Sequence, residues 1–260
     1  MVKHRRLRDA LAVLAIAWWF LWLIPPLGSW ARRYEFVQTL QFDSFALVAP
    51  ALFVAGAPWR RLGVQRWPIW SHSTTASAFA RGPDPDQPPV ATAGINHGRS
   101  IAGAGLFLVL AIAWRVPPVV DALVRHGWLT AVEFLTLGVS GVVLFRDLIE
   151  SPPLTPRASR PYRIGISAVV MWVIWIIAYM NGMSRSSWYH AFIHVSGRGP
   201  SLAADQQLSV GSIWIVSAAV FLPIVFWNLV QWLQSEEDPD AELYRLVRRE
   251  RARGFFGSKN

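Results

Sequence analysis

Six stretches of this chain run for about twenty residues with little or no charge, the length an α-helix needs to cross a bilayer. They lie at 9–27, 36–57, 100–119, 128–147, 162–181 and 205–233. A soluble core would show shorter, amphipathic patterns. The expected fold is therefore all-α: a polytopic membrane bundle of about six transmembrane helices. One transmembrane domain should cover 1–237, with an inner loop at 58–99. A basic tail, 238–260, should form a short helix, with Asp238 as its cap, Pro239 at its first position and cations at its far end. The opening MVKHRRLRDALAVLAIAWWFLWLIPP resembles a signal peptide, but its apolar stretch is too long and no small-x-small cleavage site follows. It reads as a retained first span.

The net charge of +9 raises nucleic acid as a partner. The placement of the charge argues for lipid instead, because the basic residues crowd the ends of the spans. With the N-terminus inside, four Lys/Arg precede the first span, five lie in 58–99, four in 146–163 and six in the tail, nineteen in all. Only Arg32, Arg33, Arg115, Arg125, Arg185 and Arg198 fall outside. This asymmetry puts both termini in the cytoplasm of a multi-pass protein of the bacterial inner membrane. The absence of Cys removes disulfides, thiolate metal sites and a thiol nucleophile together.

Against this apolar background the polar residues stand out. The stretch QTLQFDSFALVAPALFVAGAP, 38–58, is a membrane helix with a polar head: Gln38, Gln41 and Asp43. Ionisable groups within spans are costly and mark functional or paired positions. By depth, those three sit in the outer third of the second helix. Glu133 lies about 8 Å below the outer end of the fourth, at 1.5 Å per residue. Asp205, Gln206 and Gln207 open the sixth on the same side, with Asp205 expected to cap that helix's start by accepting its free backbone N–H groups, and Arg115 ends the third. The inner halves of the spans are expected to hold no carboxylate. Taken singly, each polar residue is explained by snorkelling or by a hydrogen bond between helices. Their convergence on one side points to a shared polar cluster, with Arg115 the nearest cation.

The outer connection SSWYHAFIHV places His190 and His194 four apart, one face of a helix, with Trp188, Phe192 and Val195 on another. With Met180 and Met183 these are the donors that could meet a metal ion on that side. Two imidazoles alone are a sparse metal face, and a wet histidine face on an amphipathic interfacial helix accounts for them better.

The segment LAADQQLSVGSIW, 202–214, is similar to the Asp-Gln-Gln signature that opens the last span of the CtaG-like cytochrome c oxidase assembly factors. The continuation through VFWNLVQWLQSEED fits the same family. The 38–58 stretch resembles that family's histidine-bearing helix, His-x-x-Gln-His followed by an apolar run, a Pro and Gly-x-Pro. Gln41, Pro50, Gly56 and Pro58 match. EFLTLGVSGVVLF, 133–145, resembles a third family helix. The likeness covers most of 34–237. It implies a part in haem–copper oxidase biogenesis, in which such factors help deliver copper. The family's two histidines are replaced here by Gln38 and Phe42, and the histidine of the third helix by Glu133 or Phe134. Asp43, about 100° around the helix from Phe42, is no simple substitute. The resemblance therefore carries the role and not the metal ligands, and no cofactor is expected, copper included.

Three functions compete. The first is a non-enzymatic assembly factor working on the outer face by contact with the oxidase or its copper carriers. The second is a stable accessory subunit of a membrane redox complex, respiratory or photosynthetic, descended from such a factor; the lost histidines favour it. The third is a transporter built on Asp43 and Glu133, which the lack of an inner acidic path disfavours. An enzyme is not expected, since the spans hold no nucleophile–base pair, no histidine and no phosphate loop. The basic asymmetry makes a direct prediction. A reporter fused after Asn260 should be active only in the cytoplasm, and periplasmic activity would invert the whole assignment.

Overall fold

The structure, a computed structural model, describes residues 2–59, 97–152, 154, 156–184, 188–193 and 199–236, with only the backbone at 2–6 and 235–236. The expected tail helix, most of the inner loop and His194 lie outside these residues. Among the described residues the chain is helical apart from its connections. The helices are α1 (Val2–Leu21), α2 (Leu27–Trp30), α3 (Glu35–Gly56), α4 (His97–Arg115), α5 (Pro117–Arg125), α6 (Leu129–Leu148), α7 (Arg160–Gly182) and α8 (Leu202–Glu236). Five of them, α3, α4, α6, α7 and α8, are long and apolar enough to cross a membrane.

Two expected boundaries move, both because of proline. The first of the six expected spans is a helix that ends at Leu21 rather than near 27, and it is not among those five. Pro25 cannot donate to the carbonyl four residues back, and its ring crowds that carbonyl, which is Leu21's. The third does not run to 119. It stops at Arg115, Val116 is extended, and Pro117 and Pro118 start the separate helix α5. Proline suits a first turn, where its missing N–H is not needed.

The bundle is organised around α3, which is mostly buried. Its polar-headed half packs on α8 and its apolar half on α1 and α6. The helix α8 packs along α7, and α4 bridges α6 and α7. Core rings interlock where these meet: Phe45 is edge-on to Phe134 and Trp19 to the same ring, while Phe145 stacks on Phe221.

Midway along α3, residues Ser44–Val48 widen into a π-turn. The cause is local. Pro50 removes the N–H that would have bonded the carbonyl of Ala46. That carbonyl faces Gly141 of α6, where an added Cβ would lie 2.7 Å from the Ala46 oxygen and 2.8 Å from Pro50 Cγ. Gly141 thus lets two backbones approach where a side chain would hold them apart, the usual role of small residues between membrane helices. Gly141→Ala should cost about 1–3 kcal/mol by overpacking. Gly105→Ala, in open space, should cost nothing by the same mechanism. Thermal unfolding of both variants in mild detergent checks the contrast.

Candidate functional site

The polar residues do converge, and the centre is Arg115. It closes α4, a position where a cation opposes the negative end of the helix dipole, yet it is only 3% exposed. A buried guanidinium must be satisfied or it destabilises strongly. Here Nη1 donates to Gln38 Oε1 at 2.7 Å and Nη2 to Thr39 Oγ1 at 3.1 Å, both on α3. Two rings lie against the cation, Phe42 with its centroid at 5.3 Å and Tyr189 at 5.2 Å. Cation–π contacts of this kind gain strength when dry.

From Arg115 the bonds run outward. Gln38 passes its amide to Glu133 of α6, Nε2 to Oε1 at 3.4 Å, so Glu133 reaches the cation through an amide. Thr39 is hydrogen-bonded to Ser209 of α8 at 2.7 Å. Gln38, Thr39, Glu133 and Ser209 are all closed to solvent. Asp43, 1% exposed, lies deeper on α3 with no hydrogen-bond donor to either oxygen among the described residues; Glu133 Oε2 is in the same state.

A cap closes over this centre. The helix α5 and the 188–193 connection pack through Val120, Tyr189 and Phe192, all buried. The Tyr189 hydroxyl donates to the Arg115 carbonyl at 3.2 Å, and Ala191 N–H donates to Asp121 at 2.9 Å. Burial, against the pull of Arg115, holds the Tyr189 phenol above its ordinary value, so it stays a donor at neutral pH.

The Asp-Gln pair of α8 works on other helices. Asp205 is not the cap of its own helix, as its position suggested. Ser201 takes that part, accepting from Ala204 N–H at 3.2 Å. Asp205 instead accepts from the backbone N–H groups of Glu35 and Phe36 at 2.9 and 3.0 Å, capping α3 from 170 residues away. Gln206 donates to the carbonyl of Asn181 at 2.6 Å, at the C-terminal end of α7. Asn181 donates in turn to Glu35 at 3.0 Å. Helix ends leave such groups without intrahelical partners, and two consecutive side chains of α8 supply them to two neighbours. Gln41 does the same for the end of α1, donating to the Trp22 carbonyl at 2.9 Å.

Several expectations are corrected. Gln207 is exposed and outside the cluster. His190 begins a single 3-10 turn, His190–Phe192, rather than an α-helix, because Tyr189 and Phe192 turn inward and set its direction. His190 is 80% exposed, 3.7 Å from Asp121. Met180 and Met183 are 55% and 66% exposed, on the surface of α7 and its end. Nothing gathers these donors, and no group of three His, Cys, Asp or Glu suited to a metal occurs among the described residues. The inner halves are not free of acid either. Asp147, 4% exposed, accepts from Ser100 at 2.8 Å near the C-terminal end of α6, the half expected to face inward.

Glu35, Thr39, Asn181, Ser209 and Tyr189 belong to the cluster and were not picked out by the sequence. Their signal was faint. Thr39 and Ser209 are small hydroxyls, common in spans, and Glu35 and Asn181 stand at helix ends where exposure is the usual fate.

Fold and site together define a helical membrane bundle with a cluster of polar residues sealed inside one end. The family described as cytochrome c oxidase caa3 assembly factor matches residues 3–235. The chain belongs to that family. Comparison with curated proteins and with solved structures finds no match.

The capping geometry gives a test. Asp205→Ala removes both charge-assisted bonds at the start of α3 and should lower stability by about 1–2 kcal/mol. Asp205→Asn should recover part of this. Ser201→Ala, a cap of α8 alone, should leave the α3 end protected in hydrogen exchange, whereas Asp205→Ala should expose Glu35 and Phe36 amides.

Proposed function

We propose that this protein assists haem–copper oxidase assembly by contact at the outer face of the bacterial inner membrane, without catalysis and without carrying copper in the family's helix-borne position. The observation that carries the reading is the fate of positions 38 and 42. Where the family pattern has imidazoles, Gln38 binds the Arg115 guanidinium and Phe42 lies against it. A fixed cation contacts both of the positions a metal ion would use. An amide and a phenyl ring are poor copper ligands, and a neighbouring positive charge raises the cost of adding another. The residues present do not fit copper. They fit a protein whose outer end is a rigid polar scaffold, its cap of α5 and 188–193 offered to a partner.

The oxidase role follows from family membership; the direct partners are oxidase components or their copper carriers. The accessory-subunit reading draws on the same lost histidines, and stoichiometry separates the two. Affinity purification in mild detergent should recover oxidase chains at well below one per copy, and deletion of this chain should lower assembled oxidase. One-to-one oxidase or other redox subunits would favour the permanent subunit. Copper in the purified protein should be far below stoichiometric after dialysis, and unchanged in a His190→Ala/His194→Ala variant. Stoichiometric copper lost in that variant would restore the delivery role.

A further inference from the structure

At the Arg115 end of the bundle the two signs of charge are sorted by depth. The carboxylates face inward: Glu35, Asp43, Glu133 and Asp205 are none of them more than 2% exposed. Asp121, its side chain 15% exposed, is turned to the Ala191 N–H and to His190. The described cations at this end, Arg115 apart, face outward: Arg32, Arg33 and Arg125 are all exposed. Arg32 and Arg125 pair with no carboxylate among the described residues. Arg125 donates from Nε to the Asp121 carbonyl at 3.1 Å, a contact that orients the guanidinium and leaves its charge uncancelled.

Folding brings these cations together. Arg32 stands in the connection from α2 to α3, and Arg125 closes α5. Yet Arg32 Nη1 lies 3.9 Å from where a Cβ on Gly127 would stand, two residues beyond Arg125. Trp128, 67% exposed, comes next in the chain, and Trp30, 46% exposed, closes α2 just before the arginines. All of them stand in connections or in the short helices α2 and α5, and none on the side of a span, where acyl chains lie. Arginine and tryptophan are residues that protein interfaces concentrate, and a surface of one sign selects the opposite sign in what meets it. We propose that this basic, tryptophan-flanked surface docks an acidic face of a protein partner. The inference rests on the assembly reading above for the partner's identity as an oxidase component or copper carrier; the sign of the partner's charge follows from this chain alone. Exposed charges are screened by salt, so the contact should weaken as ionic strength rises.

The test is photo-crosslinking in cells, with the full-length protein carrying p-benzoylphenylalanine in place of Trp128. Irradiation should give a protein adduct whose crosslinked peptide holds more Asp and Glu than Lys and Arg. In isolated membranes, raising the ionic strength from about 0.01 M to 1 M shortens the screening length from about 30 to 3 Å. That should lower the adduct yield several-fold with no arginine changed. Arg32→Glu/Arg125→Glu should lower it roughly tenfold with thermal unfolding unaltered, and changing the carboxylates of the captured peptide to Lys should restore it. Phospholipid adducts alone, or no adduct, overturn the proposal. So does a protein adduct that neither salt nor the double variant weakens. An adduct on an oxidase chain that is indifferent to charge would sink this inference and leave the assembly role standing. A charge-dependent adduct on a chain outside oxidase biogenesis would do the reverse.

Discussion

A guanidinium buried at the end of α4 is the constraint on which the polar half of this structure depends. Arg115 cannot be left dry and unpaired, since a buried charge without partners costs several kcal/mol. Every element near it is arranged accordingly. The helix α3 supplies an amide, a hydroxyl and a ring; the 188–193 connection supplies a second ring and a phenol; α6 and α8 complete the next shell through Glu133 and Ser209. The polar head of α3 is therefore the binding surface for an arginine from another helix. Its residues are sealed because the charge they serve is sealed.

The same economy governs the helix ends. A membrane bundle gains little from hydrophobic contact between its helices, so close packing and hydrogen bonds hold it. Here the bonds sit where backbone groups would otherwise lack partners. Asp205 serves the start of α3, Gln206 the end of α7 and Gln41 the end of α1. Each cap is far away in sequence, so it fixes how one helix sits against another as well as where a helix begins. The Pro50 and Gly141 contact does the same at mid-depth, turning a freed carbonyl toward a helix with no side chain in the way.

Five of the six expected spans were legible because hydrophobic length alone identifies them, and the convergence of Gln38, Glu133, Arg115 and Asp205 on one side followed from helix direction. What the sequence did not reveal was pairing. Asp205 looked like a local cap because position in a helix is visible in a sequence, whereas a backbone N–H 170 residues away is not. His190 and His194 looked helical because their spacing is, but buried Tyr189 and Phe192 set that turn through tertiary contact. Arg115 looked like a span end, since nothing in its neighbours announces that α5 and the 188–193 connection fold over it. Pro117 and Pro118 hinted at the break that makes this possible. Asp147 escaped for a similar reason, lying at a boundary where a carboxylate is ordinarily solvated.

The central claim is that Arg115 and the head of α3 form one coupled unit, and a double-mutant cycle on Arg115→Met and Gln38→Leu tests it most directly. Unfolding free energies of the wild type, both single variants and the double variant, measured in one detergent, give the coupling. Leaving either partner buried and alone should cost more than removing both, so the account predicts a coupling of about 1–3 kcal/mol, with the double variant more stable than the single costs added together would allow. Additivity to within about 0.3 kcal/mol would contradict it.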